Sequence, residues 1–480
     1  MGKAARSRRP ERSTRVLISG GDHHPPAARA AAGGLTARAP AHEPGAPGGP
    51  PLSEEDAEAH VHGICFKTGP PGRVGVELEW LVSDTRDPVL PVQADRIARA
   101  VAGLSTGSAP AVLPGGGMIT TEPGGQLELS SAPATSLGGC ITAAAGDLAA
   151  LRDAVRAAGL ELSGDGIDPV RPPRRVLDLP RYAAMEEFFD RRGPWGRVMM
   201  CNTASVQVCL DAGGEDGGAE GYRSRWRLLH AIGPVLVAAF ANSPLRRGRA
   251  SGWRSTRQAV WSRLDPGRTR PPAGAEPGRG TGARQAGRRD PRDAWAAYAL
   301  DAELMCIRRD GSAGWAAPPG LTFRDWLRGA GERRPTAADL TYHLSTLFPP
   351  VRPRGHLELR MIDAQPADSW IVPTAVATAL LDDPKAADAA IGAAEPLWHG
   401  VGPASVRCRR SEADPWLRAA RHGPADPALG RAGRACFEAA DAALARAGAP
   451  ARVRHAVAGF AERYVLNGRC PADDRLKEST

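Results

Sequence analysis

The sequence predicts an α+β fold, a mixed and largely antiparallel sheet flanked by helices. Two observations carry this. Short runs that alternate charged and apolar residues concentrate before residue 210 and return near residue 358, whereas the segments between and after them show helical spacing. No internal repeat is visible, which excludes a solenoid or propeller.

Taken in order, the elements justify themselves locally. Ser53-Glu54-Glu55-Asp56 has the composition of a helix start. A strand is expected over Arg73–Val82, then an amphipathic helix around Ala94–Ala102. Met118–Ser131 reads as a hairpin, with Ile119–Glu122 and Gln126–Ser130 joined by Pro123-Gly124-Gly125. Leu137, Ile141, Ala144, Leu148, Leu151 and Val155 recur at helical spacing within Ser136–Ala158. A strand-rich block is expected over Gly164–Leu177 and another strand within Met199–Leu210. In the latter, Ala204, Val206, Val208 and Leu210 face one way and Ser205, Gln207 and Cys209 the other. Helices are expected over Glu220–Ala241, stopped by Asn242-Ser243-Pro244, and over Arg292–Met305. Another begins at Thr336, where Asp339 stands at capping-box spacing, and runs to Phe348 before Pro349-Pro350. Strand Gly355–Met361 follows, and from about residue 369 the pattern is helical and Ala-rich.

At 480 residues with 42% hydrophobic content, the chain is long enough for a large core. Its net charge of +9 is unevenly placed. Residues 1–50 hold eight Lys/Arg against three acids, and residues 266–292 hold seven Arg against two. Each segment is therefore +5, and the remainder is close to neutral. Both are rich in Pro, Gly and Ala, so residues 1–50 read as a disordered basic tail and 266–292 as a disordered insertion in a single catalytic domain spanning 51–480. Solvated segments of this kind do not call for nucleic acid as a partner. No apolar run approaches the ~18–20 residues of a membrane span, and the start lacks the apolar stretch of a secretion signal, so a cytoplasmic protein is expected. The eight cysteines show neither a C-x-x-C pair nor zinc spacing and are expected to be reduced and unpaired. Oligomeric state has no signature in the chain.

Chemistry concentrates in three alternating segments. Glu77 and Glu79 lie in Gly75–Trp80, Glu122 and Glu128 flank the Pro-Gly-Gly turn, and Glu358 and Arg360 lie in Leu357–Arg360. Positions i and i+2 of a strand share a face about 6.6 Å apart, so one face would carry five carboxylates while Val76, Leu78, Leu127, Leu129, Leu357 and Leu359 pack beneath. Crowded carboxylates repel unless hard cations neutralise them, and Mg²⁺ with an arginine beside it suits an enzyme that handles the phosphates of ATP. Each piece also has a plain structural reading. Glu77 and Glu79 fit the wet face of an edge strand, the turn fits a polar hairpin tip, and Glu358 with Arg360 fits a cross-strand ion pair. Gln207 is either half-exposed or a substrate contact, and Arg257 is a candidate for binding a substrate carboxylate. Arg268 borders the expected insertion. His230, His343, His356 and His399 have no partner motif and read as structural. A non-catalytic binder and a metal-dependent hydrolase are the competing classes, and the second lacks the histidines such sites commonly use.

Gly75-Val-Glu77-Leu-Glu79, Thr121-Glu122-Pro-Gly-Gly-Gln126-Leu-Glu128-Leu-Ser130 and Met199-Met-Cys-Asn-Thr203-Ala-Ser-Val-Gln207-Val resemble the glutamate–cysteine ligases of the plant and actinobacterial type. So do Ala241-Asn-Ser-Pro244, Ser255-Thr-Arg257-Gln-Ala-Val-Trp261 and the stretch from His343 to Arg360. The resemblance implies a fold related to glutamine synthetase and guanidino kinases, with the sheet shaped into an active-site funnel. It also implies ATP-dependent joining of the L-glutamate γ-carboxylate to the L-cysteine amine, through γ-glutamyl phosphate and with two or three Mg²⁺ ions. By the same likeness Glu77, Glu79, Glu122, Glu128 and Glu358 are metal ligands, with Gln207 near them. Arg360 is the catalytic phosphate contact, Arg257 binds glutamate, and the product enters ergothioneine biosynthesis. Ligation of glutamate to a different amine is the alternative within this class.

Overall fold

The hairpin anticipated around Pro123 is the edge of a seven-stranded sheet. The computed structural model describes residues 48–104, 113–277, 290–310, 314–399 and 413–479, all of them within one compact unit. The strands are β1 (Val74–Asp84), β2 (Met118–Thr121), β3 (Leu127–Ser130), β4 (Leu160–Ser163), β5 (Ser205–Asp211), β8 (Val351–Pro353) and β9 (His356–Asp363), with β6 (Leu245–Arg246) and β7 (Arg249–Ala250) forming a separate two-stranded hairpin. In space the order is β2-β3-β1-β5-β9-β8, with β4 also pairing with β1, and every pairing is antiparallel. The expected fold class is the observed one.

Alternation decides which face of the sheet is wet. Val76, Leu78, Leu127, Leu129, Val206, Val208, Leu357 and Leu359 are each at most 2% exposed. They meet helices Leu137–Ala157, Tyr222–Ala239 and Ile371–Asp382 on one side. Each such side chain contributes about 1.5–3 kcal/mol on burial, so the floor is anchored from below and its other face is free to carry charge. Caps agree with the sequence. Ser53, Ser136 and Thr336 accept backbone N–H groups at the starts of their helices, and Thr336 with Asp339 forms a complete capping box.

Three expectations need correcting. Gly164–Leu177 contains no strand; a single bridge joins Ile167 to Thr203. Pro169, Pro172 and Pro173 cannot donate to a ladder, and Asp168 turns the chain by accepting the N–H groups of Val170 and Arg171. The strand expected within Met199–Leu210 is present from Ser205, and Met199–Asn202 before it closes the helix Trp195–Asn202. The helix from Thr336 ends at Leu344. The insertion does not extend over 266–292. Pro266–Thr269 is a short helix opened by Asp265, Pro291 begins the helix that runs to Asp301, and Arg268 is wholly buried. Composition alone missed the pairing of Arg268 with Asp265 at 3.0 Å. Residues 278–289, like 1–47 of the expected tail, lie outside the described residues.

The hairpin turn is fixed by close packing. Gly125 has φ +89°, a value L side chains rarely adopt, and its N–H closes the turn onto the Glu122 carbonyl at 2.8 Å. A Cβ on Gly124 would fall on the backbone of Cys201. Gly124→Ala is therefore expected to displace the turn and cost about 1–3 kcal/mol, read as a lower midpoint in denaturant unfolding; an unchanged midpoint would show that the turn has room to spare.

Candidate active site

Register brings the three acidic segments together. Glu79 stands opposite Glu128 across β1 and β3, Glu77 stands opposite Gln207 across β1 and β5, and Cys209 opposite Glu358 across β5 and β9. Directly opposed residues on one face have Cβ atoms about 4.5–5.5 Å apart. Glu122 enters from the turn beside them. All five carboxylates thus share one face with Gln207 and Arg360, as the alternation requires.

Their environments differ sharply. Glu79 accepts from Ser205 Oγ and Gln207 Nε2, both at 2.9 Å. Glu128 is buried and accepts from Thr120 and Ser130, both at 3.2 Å. The carboxylates of Glu77 and Glu122 accept no hydrogen bond from any described residue. Burial, then the neighbouring Glu79, pushes Glu122 up to about 7. Burial, then Glu77, raises Glu128 well above the usual carboxylate range. Burial, then Glu358, raises Glu77. Burial and the crowding of like charges raise all three, outweighing the pull of the nearby arginines on Glu77 and Glu122.

Glu358 is the exception. Burial alone would raise it, but Arg352, Arg360 and Arg354 hold it well below the usual range. Arg352 takes both of its oxygens, at 3.0 and 2.9 Å, and Arg360 bonds the same carboxylate and Gln207. The resemblance implies a metal ligand here and the plain reading an ion pair with Arg360; the structure gives this carboxylate three guanidinium partners. Among the described residues, no three His, Cys, Asp or Glu side chains form a metal cage by themselves. The donor set of Glu77, Glu79, Glu122 and Glu128 nevertheless fits hard cations, because it is all oxygen, negatively charged and partly uncommitted.

Arg257 is buried and spends its donors on backbone. Nη2 reaches the Arg360 carbonyl at 2.8 Å and Nη1 that of Ile362 at 3.5 Å, while Gln258 takes the Met361 carbonyl at 2.9 Å. These three carbonyls mark a β-bulge. Val208 pairs with Leu359 and Val206 with Ile362, so Gln207 alone opposes two residues. The candidate glutamate-binding arginine therefore also caps the bulge that carries Arg360; its Nε remains unpartnered.

The extra residue changes the parity of β9 and puts Asp363, opposite Ser205, on the polar side. Asp363 accepts from Asn242 N (2.9 Å), Ser243 Oγ (2.7 Å) and Ser255 Oγ (2.9 Å) and lies 3.9 Å from Arg257. Simple alternation selects Ile362 and misses Asp363; the apolar pair Met361-Ile362 was the available signal. Arg352 and Arg354 were missed because their segment reads as a helix stop, although they repeat the i/i+2 pattern of the acids. Gln126 is no ligand of the acidic face. Its amide accepts from Gly124 N and donates to Thr203 O and Met200 O, tying the turn to the chain before β5. Arg268 anchors the segment after the His343 helix through Thr346. His230 and His343 bond backbone carbonyls, and burial holds them down at about 4 and 3, so they are neutral and structural. Cys65, Cys140, Cys201, Cys209, Cys436 and Cys470 are free thiols, and Cys408 lies outside the described residues.

Comparison with known proteins matches residues 73–479 to glutamate–cysteine ligase family 2. The chain is 39% identical over 447 residues to glutamate–cysteine ligase EgtA of Mycobacterium tuberculosis H37Rv, covering 92% of this chain and 94% of that protein. It is 40% identical over 427 residues to EgtA of Mycolicibacterium smegmatis, covering 88% and 90%. Chloroplastic glutamate–cysteine ligase A of Oryza sativa subsp. japonica is 28% identical, covering 70% and 68%.

The raised carboxylates fix a pH dependence. Glu122 moves from 4.5 to about 7 on folding. Folding therefore takes up a proton between these values, and the stability of the protonated form is present below 4.5 and lost as pH rises through about 7. Glu77 and Glu128 shift in the same direction. Metal-free protein is expected to show a falling melting temperature across that window, with a shallower slope in Glu122→Gln and partial recovery on adding Mg²⁺. A melting temperature indifferent to pH there contradicts the crowding of these groups.

Proposed function

The chain belongs to glutamate–cysteine ligase family 2, and we propose that it joins the γ-carboxylate of L-glutamate to the amine of L-cysteine at the expense of ATP. The observation that carries this reading is the shared face on which Glu77, Glu79, Glu122 and Glu128 meet Gln207 and Arg360. The names of the two mycobacterial relatives support the choice of glutamate and cysteine, and supply of γ-glutamylcysteine for ergothioneine is the pathway we assign. The catalytic unit is proposed to span residues 51–480, and the site of action to be the cytoplasm; no helix among the described residues is long and apolar enough to cross a membrane.

A carboxylate is a poor acyl donor and amide formation in water is uphill, so the acid must first be activated. In the proposed reaction the glutamate γ-carboxylate attacks the γ-phosphorus of ATP in line, giving γ-glutamyl phosphate and ADP. The cysteine amine then attacks the acyl carbon, phosphate leaves and the amide remains. Glu77, Glu79, Glu122 and Glu128 would hold Mg²⁺, which when bound neutralises phosphate oxygens and orients them. Arg360, held by Glu358 and Gln207, presents a fixed guanidinium to charge building on the transferring group. Ser205 and Gln207 hold Glu79 in one rotamer, and the Arg257–Gln258 cap keeps the backbone beneath Arg360 from moving.

The direct test is ADP release by the full chain with glutamate, cysteine and Mg²⁺ omitted one at a time. Sustained ADP release is expected only when all three are present, with no more than about one equivalent per site when cysteine alone is left out; equal release with other amino acids in place of cysteine would overturn the amine assignment. Glu77→Ala and Glu128→Ala are each expected to abolish ADP formation while leaving the circular dichroism of the fold unchanged, and a fully active variant removes that residue from the metal site.

A further inference from the structure

Three guanidinium groups surround one carboxylate at the β8–β9 end of the floor. Arg352 gives Nε and Nη2 to Glu358, Arg354 Nη1 lies 3.5 Å from Oε2, and Arg360 bonds Oε1. The arginine side chains are 8, 12 and 12% exposed and Glu358 is 0% exposed. Counted against Glu358 alone, the three arginines leave an excess of two positive charges, which Glu77 and Glu79 offset from a distance. A buried excess of charge is costly unless an opposite charge reaches it. Glu77, the next carboxylate on the floor, feels all three arginines electrostatically but hydrogen-bonds none of them.

The donors are not equally committed. Arg352 has used Nε, Nη1 and Nη2, the second on the Leu347 carbonyl at 3.2 Å. Arg360 shares Nη1 between Gln207 and Glu358, and its Nε is buried without a partner. Arg354 makes one long contact through Nη1, and its Nη2 is buried with no hydrogen-bond partner. Buried guanidinium N–H groups without acceptors are rare and unfavourable, and those that persist call for an explanation. This one sits on the turn between β8 and β9, within electrostatic reach of Glu358, Glu77 and Cys209, all on the polar face.

The geometry points to Arg354 as a further substrate-binding residue, its idle Nη2 donating to an anionic oxygen of the bound substrates. A guanidinium takes the oxygens of a phosphate and of a carboxylate equally well, so the nucleotide phosphate chain and the amino-acid carboxylate are the two sources. The assignment rests on the ligase reading above. It extends the basic end of the site beyond Arg360, giving the floor an acidic end for cations and a basic end for the anion they accompany.

The test is calorimetric binding to the full-length chain in two arms, Mg·ADP and L-glutamate, with wild type, Arg354→Met and Arg354→Gln; melting temperature reports whether each variant is folded. Both variants are expected to weaken one arm by about tenfold or more, the range for a hydrogen bond to a charged group, and to leave the other close to wild type. Loss in the ADP arm assigns the oxygen to phosphate, and loss in the glutamate arm assigns it to carboxylate. Arg354→Gln keeps a polar side chain beside Glu358, so it serves if Arg354→Met does not fold. Wild-type affinity of a folded variant in both arms overturns the role of Arg354 alone. A wild type that binds neither ligand overturns the ligase reading itself, and this inference with it.

Discussion

Negative charges held close together on a surface shielded from water cannot all persist without help. Two unit charges 4 Å apart at an effective dielectric constant of 20 interact by about 4 kcal/mol. Glu77, Glu79, Glu122 and Glu128 are placed on neighbouring strands and a turn, with Glu79 directly opposite Glu128. The sheet keeps them there because its other face is tied down by buried Leu and Val side chains at about 1.5–3 kcal/mol each. The chain leaves the carboxylates of Glu77 and Glu122 without hydrogen-bond donors among the described residues. It surrounds Glu358 with arginines instead. One floor therefore has two poles.

Backbone irregularity places the second pole. A regular β9 would put Glu358, Arg360 and Ile362 on one face. The bulge opposite Gln207 inserts one residue, returns Ile362 to the core and brings Asp363 to the polar side. Asp363 then gathers Asn242, Ser243 and Ser255, and the helix that follows Ser255 returns Arg257 and Gln258 to the carbonyls of the bulge. The loop and the strand thus hold each other, and Arg360 stands on the result.

Much of this was legible because strand alternation is a strict rule. Glu77, Glu79, Glu128 and Glu358 followed from a period of two, and Glu122 and its turn from Pro-Gly-Gly. What alternation could not supply was its own interruption, so Asp363 was missed. Arg268 was misjudged because Pro, Gly and Arg around it resemble disorder by composition, whereas the contacts that bury it come from Asp265, Thr346 and Glu303, the last two remote in sequence. The helix Trp195–Asn202 went unread because a short apolar run does not declare its period. The partners of Glu358 depend on the pairing of β8 with β9, a tertiary fact with only a faint trace in the sequence.

Divalent cations rather than protein groups are proposed to balance the acidic end of the floor. Crystals of the full chain grown with ADP and Mn²⁺, a spectroscopic stand-in for Mg²⁺, would locate the ions by anomalous diffraction. Peaks are expected within ligand distance of Glu77, Glu79, Glu122 or Glu128, on the face that carries Gln207 and Arg360. Bound nucleotide with no ion on that face, or ions held only by residues elsewhere, would contradict that balance.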